Sequence, residues 1–200
     1  MNKRIILFLG VIILFLNYSI PQKHFRLYKT QFTDNNELAK FISFSSTFNH
    51  KHPFTKFIEE YKDVAILYQI ECGIPVSVQL AQAITESGGG KCELGKNANN
   101  LFGMKYYKEI FSGEYYTTSD GTKWRKYPNV KESFRDHAEF LNKYYNHAVN
   151  KDWKYWANSC RGYGGPGYWN YIGEVIKKYK LYEYDELVIK LQDKNKSFNI

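Results

Sequence analysis

Glu86 has the most chemically suggestive surroundings of any carboxylate in the chain. It follows Leu80, Ala83 and Ile84 closely and stands just before Gly88-Gly89-Gly90. Three successive glycines, each costing a helix about 1 kcal/mol, must end a helix there, so Glu86 falls in its last turn. Apolar neighbours and the negative end of the helix dipole both favour a protonated carboxyl. An acid that keeps its proton near neutral pH can protonate a departing glycosidic oxygen. A solvent-facing glutamate with no chemical role is the other reading of the same pattern.

Metal chemistry has little support in the sequence. Cys72, Cys92 and Cys160 are far apart, with no CxxC and no nearby paired histidines, which argues against zinc. An exported chain could join two of them in a disulfide, but spacing does not say which. His50 and His52 lack a close third ligand and read as part of a solvated linker. No metal and no cofactor are expected.

The elements that must position Glu86 follow from periodicity. Phe57, Ile58, Tyr61, Ala65, Tyr68 and Ile70 form a helical stripe over 54–72, with Gly73 as its stop. Pro75 opens the next helix, whose buried face is expected from Leu80, Ala83 and Ile84. Tyr115 to Thr118, Ser119-Asp120-Gly121, then Trp124 to Tyr127 read as strand, turn and strand. Asn129 with Glu132 resembles a capping box for a helix through Phe134, Ala138, Phe140, Leu141 and Tyr145. Two helical stretches, 153–159 and 168–179, flank the glycine-rich 162–167, and after Asp185 the signal fades into a polar tail, 186–200. No internal repeat is present.

The full chain has 200 residues, and about 150 of them remain for packing once the ends are set aside, enough for one domain. Its 18% aromatic content suits both a core and a groove that stacks on carbohydrate. A formal charge of +8 and a pI near 9.2 would draw it to anionic partners such as nucleic acid, acidic phospholipid or wall polymer. Charge alone does not choose among them. Asn2-Lys3-Arg4 followed by an apolar run to Leu16 has the pattern of an export signal over 1–20, either cleaved or retained as a membrane anchor. Residues 21–53 read as a linker, leaving 54–185 as the domain.

Val78-Gln79-Leu80-Ala81-Gln82-Ala83-Ile84-Thr85-Glu86-Ser87-Gly88 and Asn99-Asn100-Leu101-Phe102-Gly103-Met104-Lys105 are similar to the signature of the glucosaminidase family, which includes flagellar peptidoglycan hydrolases and autolysins. The resemblance continues through Trp124-Arg125-Lys126-Tyr127 and Glu132-Ser133-Phe134-Arg135-Asp136-His137, and ends with Gly162-Tyr163 and Tyr168. Several motifs in order are a strong signal. Departures are Gly89 where the family usually has Trp, Gly164-Gly165-Pro166 where it has Ala-Thr-Asp-Pro, and Trp124 where it has Phe.

This resemblance implies an α+β, predominantly helical, lysozyme-like fold with a small β-hairpin lobe. It also implies hydrolysis of the N-acetylglucosaminyl β-1,4 bond to N-acetylmuramic acid in peptidoglycan, with Glu86 as the acid. The family draws its second carboxylate from the hairpin lobe. Glu114 is the first choice, Asp120 is close behind at the turn, and Glu109 is third. The substrate's own 2-acetamido group is a further candidate nucleophile. Phe102, Trp124, Tyr127 and Tyr163 are candidates to line a sugar-binding groove, with core packing as the alternative for each.

Competing readings are a non-catalytic wall-binding module, and a muramidase or lytic transglycosylase on the same fold. Nucleic acid is not an expected partner, because no zinc finger, basic helix or RNP-like motif is present. The expectation is a monomer acting on glycan strands in the periplasm or cell envelope.

Overall fold

The computed structural model describes residues 53–197. The proposed export signal and nearly all of the linker, including His50 and His52, lie outside the described residues. The packing described below is that of the compact unit that ends at Val188.

Helix α1 spans Thr55–Cys72 and stops at Gly73, whose φ of 67° lies in the left-handed region. Helix α2, Val76–Ser87, follows Pro75 and closes on Gly88 at φ 60°, so the glycines end it as the sequence requires. The expectation of a single buried face is corrected: Val76 through Ile84 are all buried. The reason is tertiary, because α1 packs against α2 on one side and α6 (Tyr168–Lys178) on another. A helix walled in this way favours internal partners for its polar side chains, which the Gln79 amide nitrogen finds and the Gln82 amide does not. Gln79 accordingly donates to the carbonyls of Ala65 at 3.0 Å and Ile74 at 2.8 Å.

The start of α2 is fixed by Gln69 Oε1, which accepts from Val76 N at 2.8 Å, and by Asp185, which accepts from Ser77 N at 2.8 Å and Ser77 Oγ at 2.5 Å. Its end is fixed by Ser87, whose hydroxyl donates to Ala83 O at 2.5 Å and accepts from Gly90 N at 2.7 Å. At Gly89 a Cβ would come within 2.6 Å of the Phe54 ring. Phe54 thus occupies the space beside this turn, where only glycine fits.

Helix α3, Glu93–Ala98, leads through Asn99 in a left-handed conformation to a loop held by Asn100. The buried Asn100 side chain donates to Met104 O and Arg125 O, both at 2.9 Å, and accepts from Met104 N at 3.0 Å. The loop is therefore tied to the sheet that follows. Strands β1, Glu114–Thr117, and β2, Lys123–Lys126, pair antiparallel with Tyr116 opposite Trp124. Helix α4, Val130–Tyr144, is capped by Asn129 Oδ1 accepting from Glu132 N at 3.1 Å, as its sequence predicts. A short 3-10 turn, Asn146–Ala148, leads to α5, Trp153–Ser159, which packs on α6.

The polar run after Asp185 differs from its expectation, since Tyr182–Ser197 is one further helix, α7. Cys72, Cys92 and Cys160 are free thiols, so the possible disulfide is not formed. Among the described residues no helix is long and apolar enough to cross a membrane, and no cluster of His, Cys, Asp and Glu could hold a metal ion. Among the described residues the fold is mostly helical with one small two-stranded sheet, as expected.

Candidate active site

Glu86 stands in the last turn of α2, with its side chain exposed. The desolvation anticipated from Ala83 and Ile84 is therefore absent, because those two residues point into the core while Glu86 turns outward. Its surroundings are instead made by two tyrosines from the glycine-rich segment and the start of α6.

Tyr163 and Tyr168 both lie near the Glu86 carboxylate, their rings 5.5 Å apart between centroids. Burial first, then neighbouring negative charge that includes Glu86, holds both phenols well above their ordinary pKa. Each hydroxyl thus remains a donor at any working pH. The Tyr168 hydroxyl is buried without a well-formed hydrogen bond, with Glu86 and the fully buried Gln82 amide beside it. Gln82 is one turn before Glu86 on α2, and neither of its amide atoms has a partner among the described residues.

Backbone geometry brings Tyr168 here. Gly164 has φ 77°, and a Cβ on it would come within 2.3 Å of the Tyr168 ring. Tyr163 is held by its own N–H to Cys160 O at 2.9 Å, and its hydroxyl meets His137 Nε2 at 3.0 Å.

Beside Tyr163 opens a cavity of about 400 Å³, lined among others by Phe102, Met104, Lys105, Arg125, Phe140 and Lys143. Apolar faces with cationic groups and the carboxylates of Asp136 and Glu139 suit a sugar ring bearing polar substituents. Of the four aromatic candidates, Phe102 and Tyr163 line this space, whereas Trp124 and Tyr127 do not. Tyr127 is buried and donates to Asp136 at 2.5 Å, and Trp124 donates from Nε1 to Thr118 Oγ1 at 3.1 Å. Both serve the hairpin lobe itself.

The candidate second carboxylates differ in freedom. Asp120, at the hairpin tip, accepts from Thr118 Oγ1 at 2.6 Å and from Thr122 N and Thr122 Oγ1 at 3.0 Å each. Those bonds lower its pKa and tie it into the turn. Glu114 begins β1 with its side chain 78% exposed, and is paired only across the strands with Lys126 at 3.0 Å. Such a surface pair is weak and easily exchanged. Glu109 is exposed in the loop before β1.

His137, Tyr168 and Gln82 join the site without having been singled out for a role from sequence. His137 and Gln82 are inside matched motifs, but their typical fate in a helix is packing, and only the fold shows what their polar atoms face.

Comparison with known proteins gives a consistent picture. Residues 62–181 match the family described as mannosyl-glycoprotein endo-beta-N-acetylglucosaminidase, the glucosaminidase family. The exo-glucosaminidase LytG of Bacillus subtilis is 34% identical over 199 residues, an overlap of 88% of this chain and 67% of that protein. The catalytic domain of the autolysin Auto from Listeria monocytogenes superposes with a TM-score of 0.57 at 25% identity, over 77% of this chain and 98% of that one. The glycoside hydrolase domain of FlgJ from Salmonella typhimurium gives 0.54 at 25% identity, over 74% of this chain and all, 100%, of that one.

Proposed function

Because this chain belongs to the glucosaminidase family and is a glycoside hydrolase, we propose that it cleaves the β-1,4 bond from N-acetylglucosamine to N-acetylmuramic acid in peptidoglycan, with Glu86 as general acid. The observation that carries the reading is the place of Glu86 at the exposed end of a buried helix, within electrostatic reach of the Tyr163 and Tyr168 hydroxyls. Glu86 would give its proton to the glycosidic oxygen as the C–O bond breaks, and the departing sugar would leave as an alcohol. Phe102 and Tyr163 would bind the sugar in the cavity that they line.

Glu114 is our choice for activating the attacking water. Its weak pairing with Lys126 leaves it free to turn toward the cleft, whereas the oxygens of Asp120 are taken up by the turn. Assistance by the substrate's acetamido group is the alternative should Glu114 prove dispensable.

Mass spectrometry of muropeptides released from purified peptidoglycan tests the bond. A reducing-end N-acetylglucosamine is expected; a reducing-end N-acetylmuramic acid would make this a muramidase, and a 1,6-anhydro product a transglycosylase. The relative named exo-glucosaminidase supports a second reading of the cleavage mode, release from chain ends rather than within the strand. The size distribution of early products distinguishes the two.

The residues before the domain complete the proposal. An apolar segment over 1–20 would direct export, and relatives named as autolysins fit a cell-envelope location. A basic chain would then meet the anionic wall. Retention of the segment would confine cutting to glycan near the membrane.

A further inference from the structure

Large apolar side chains exposed on the described surface converge at one opening. Tyr107, Ile110 and Tyr144, at 53%, 61% and 54% exposure, all line the cavity that Phe102 and Tyr163 also line. Apolar side chains scattered singly over a surface need no explanation, whereas several around one opening mark a binding face. Tyr107 and Ile110 share a turn in which Ile110 N donates to Tyr107 O at 3.1 Å, and Tyr144 ends α4.

The charges around the same cavity leave two cations over. Arg125 is taken up by Asp136 at 2.5 Å, and Glu139 faces Arg135 at 3.9 Å. Lys105 and Lys143 have no carboxylate within ion-pair distance among the described residues. Their ammonium groups lie instead over aromatic rings, Lys105 at 5.8 Å from the Trp124 centroid and Lys143 at 5.1 Å from that of Tyr144. Lys105 has a fixed backbone, since its carbonyl accepts from Arg125 Nε at 3.1 Å. Lys143 stands in the last turn of α4, where the helix dipole favours a cation.

A neutral sugar offers hydroxyl and acetamido groups to such a face but no carboxylate. The short peptide that peptidoglycan carries on N-acetylmuramic acid offers both alanine methyl groups and free carboxylates. We propose that the rim of this cavity is a subsite for that acidic peptide. Tyr107, Ile110 and Tyr144 pack on its methyl groups, and Lys105 and Lys143 pair with its carboxylates. The enzyme thereby distinguishes glycan that still bears peptide from strands that have lost it. The inference rests on the reading of peptidoglycan as substrate. It concerns binding and adds no chemical step, since charge complementarity at a rim sets specificity.

Binding of N-acetylmuramyl peptide to the full chain tests the subsite without reference to activity, because this ligand has no glycosidic bond to cleave. Calorimetry should show it binding on the order of fivefold more tightly than N-acetylmuramic acid, and than the same peptide with its carboxylates amidated. Lys105→Gln combined with Lys143→Gln should abolish the advantage over the amidated form. Both lysines are exposed, so the double variant should fold as the parent does. Ile110→Ser should weaken both peptide ligands and leave N-acetylmuramic acid unaffected. Equal affinity for all three ligands, or an unchanged preference in the double variant, overturns the proposal. Should N-acetylmuramic acid bind as tightly as the peptide and lose affinity in the double variant, the lysines meet its lactyl carboxylate and the peptide assignment is wrong. In turnover, strands stripped of peptide should show a KM raised several-fold with kcat little changed. The expected binding order in a protein that cleaves no glycan would overturn the proposed reaction and leave the subsite standing. Cleavage of both kinds of strand with equal KM would do the reverse.

Discussion

The hydroxyl of Tyr127 donates to Asp136 at 2.5 Å, onto a carboxylate that also holds the Arg125 guanidinium at 2.5 and 2.7 Å. Strand β2 is thereby fastened to α4 through a nearly buried ion pair. The lobe carrying Glu114 takes its position from this connection. Removing one partner of a buried pair leaves the other charge uncompensated, so Asp136→Ala should lose about 3 kcal/mol of stability in urea unfolding. Tyr127→Phe should lose about 1 kcal/mol with KM unchanged. A raised KM at unchanged stability would mean that Tyr127 contacts substrate after all.

Asp185 gives a pH dependence. Burial raises its pKa to about 7 despite its hydrogen bonds from Ser77, against an ordinary value of 3.8. The folded state therefore binds the proton more tightly than the unfolded one. The associated stability is fully present below about pH 3.8 and is lost as pH rises through about 7. Asp185→Asn should flatten the stability-against-pH curve over that window relative to the parent. An unchanged slope would show that the carboxyl titrates normally.

Gly164→Ala should impair catalysis more than folding, because the added Cβ would displace the Tyr168 ring it meets at 2.3 Å. The left-handed backbone adds a strain of about 1 kcal/mol. At Gly165 a Cβ meets nothing within 4 Å, so Gly165→Ala is the matched control and should behave as the parent. Equal losses in both variants would show that loop flexibility, not Tyr168, is what matters.

For the second carboxylate, Glu114→Gln should slow turnover more than Asp120→Asn. The first removes an exposed carboxylate whose pairing with Lys126 contributes little to stability, and the second loosens a turn. The opposite order would move the role to Asp120. Full activity in both would favour acetamido assistance, which tight binding of a thiazoline-type inhibitor would support.

Local features were legible in the sequence, because local rules govern them. The end of α2 at Gly88, the cap at Asn129 and the hairpin around Asp120 each depend on residues within a few positions. The all-round burial of α2 was not legible, since it depends on α1 and α6 closing from different sides. Nor was the outward turn of Glu86, because apolar neighbours in sequence do not determine which face of the last turn meets solvent. α7 was missed because its residues after Asp185 carry too weak an apolar stripe to declare a helix. His137 and Tyr168 acquire meaning only from a partner distant in sequence, 26 residues away for the His137–Tyr163 contact.

The most direct test is Glu86→Gln, assayed on purified peptidoglycan with release of reducing-end N-acetylglucosamine as the readout. The substitution keeps shape and removes the acid from an exposed position, so folding should match the parent by circular dichroism and thermal unfolding. Release should fall at least about a hundredfold, the scale of a lost general acid. A folded Glu86→Gln variant that clears peptidoglycan at close to the parental rate would contradict the assignment of Glu86.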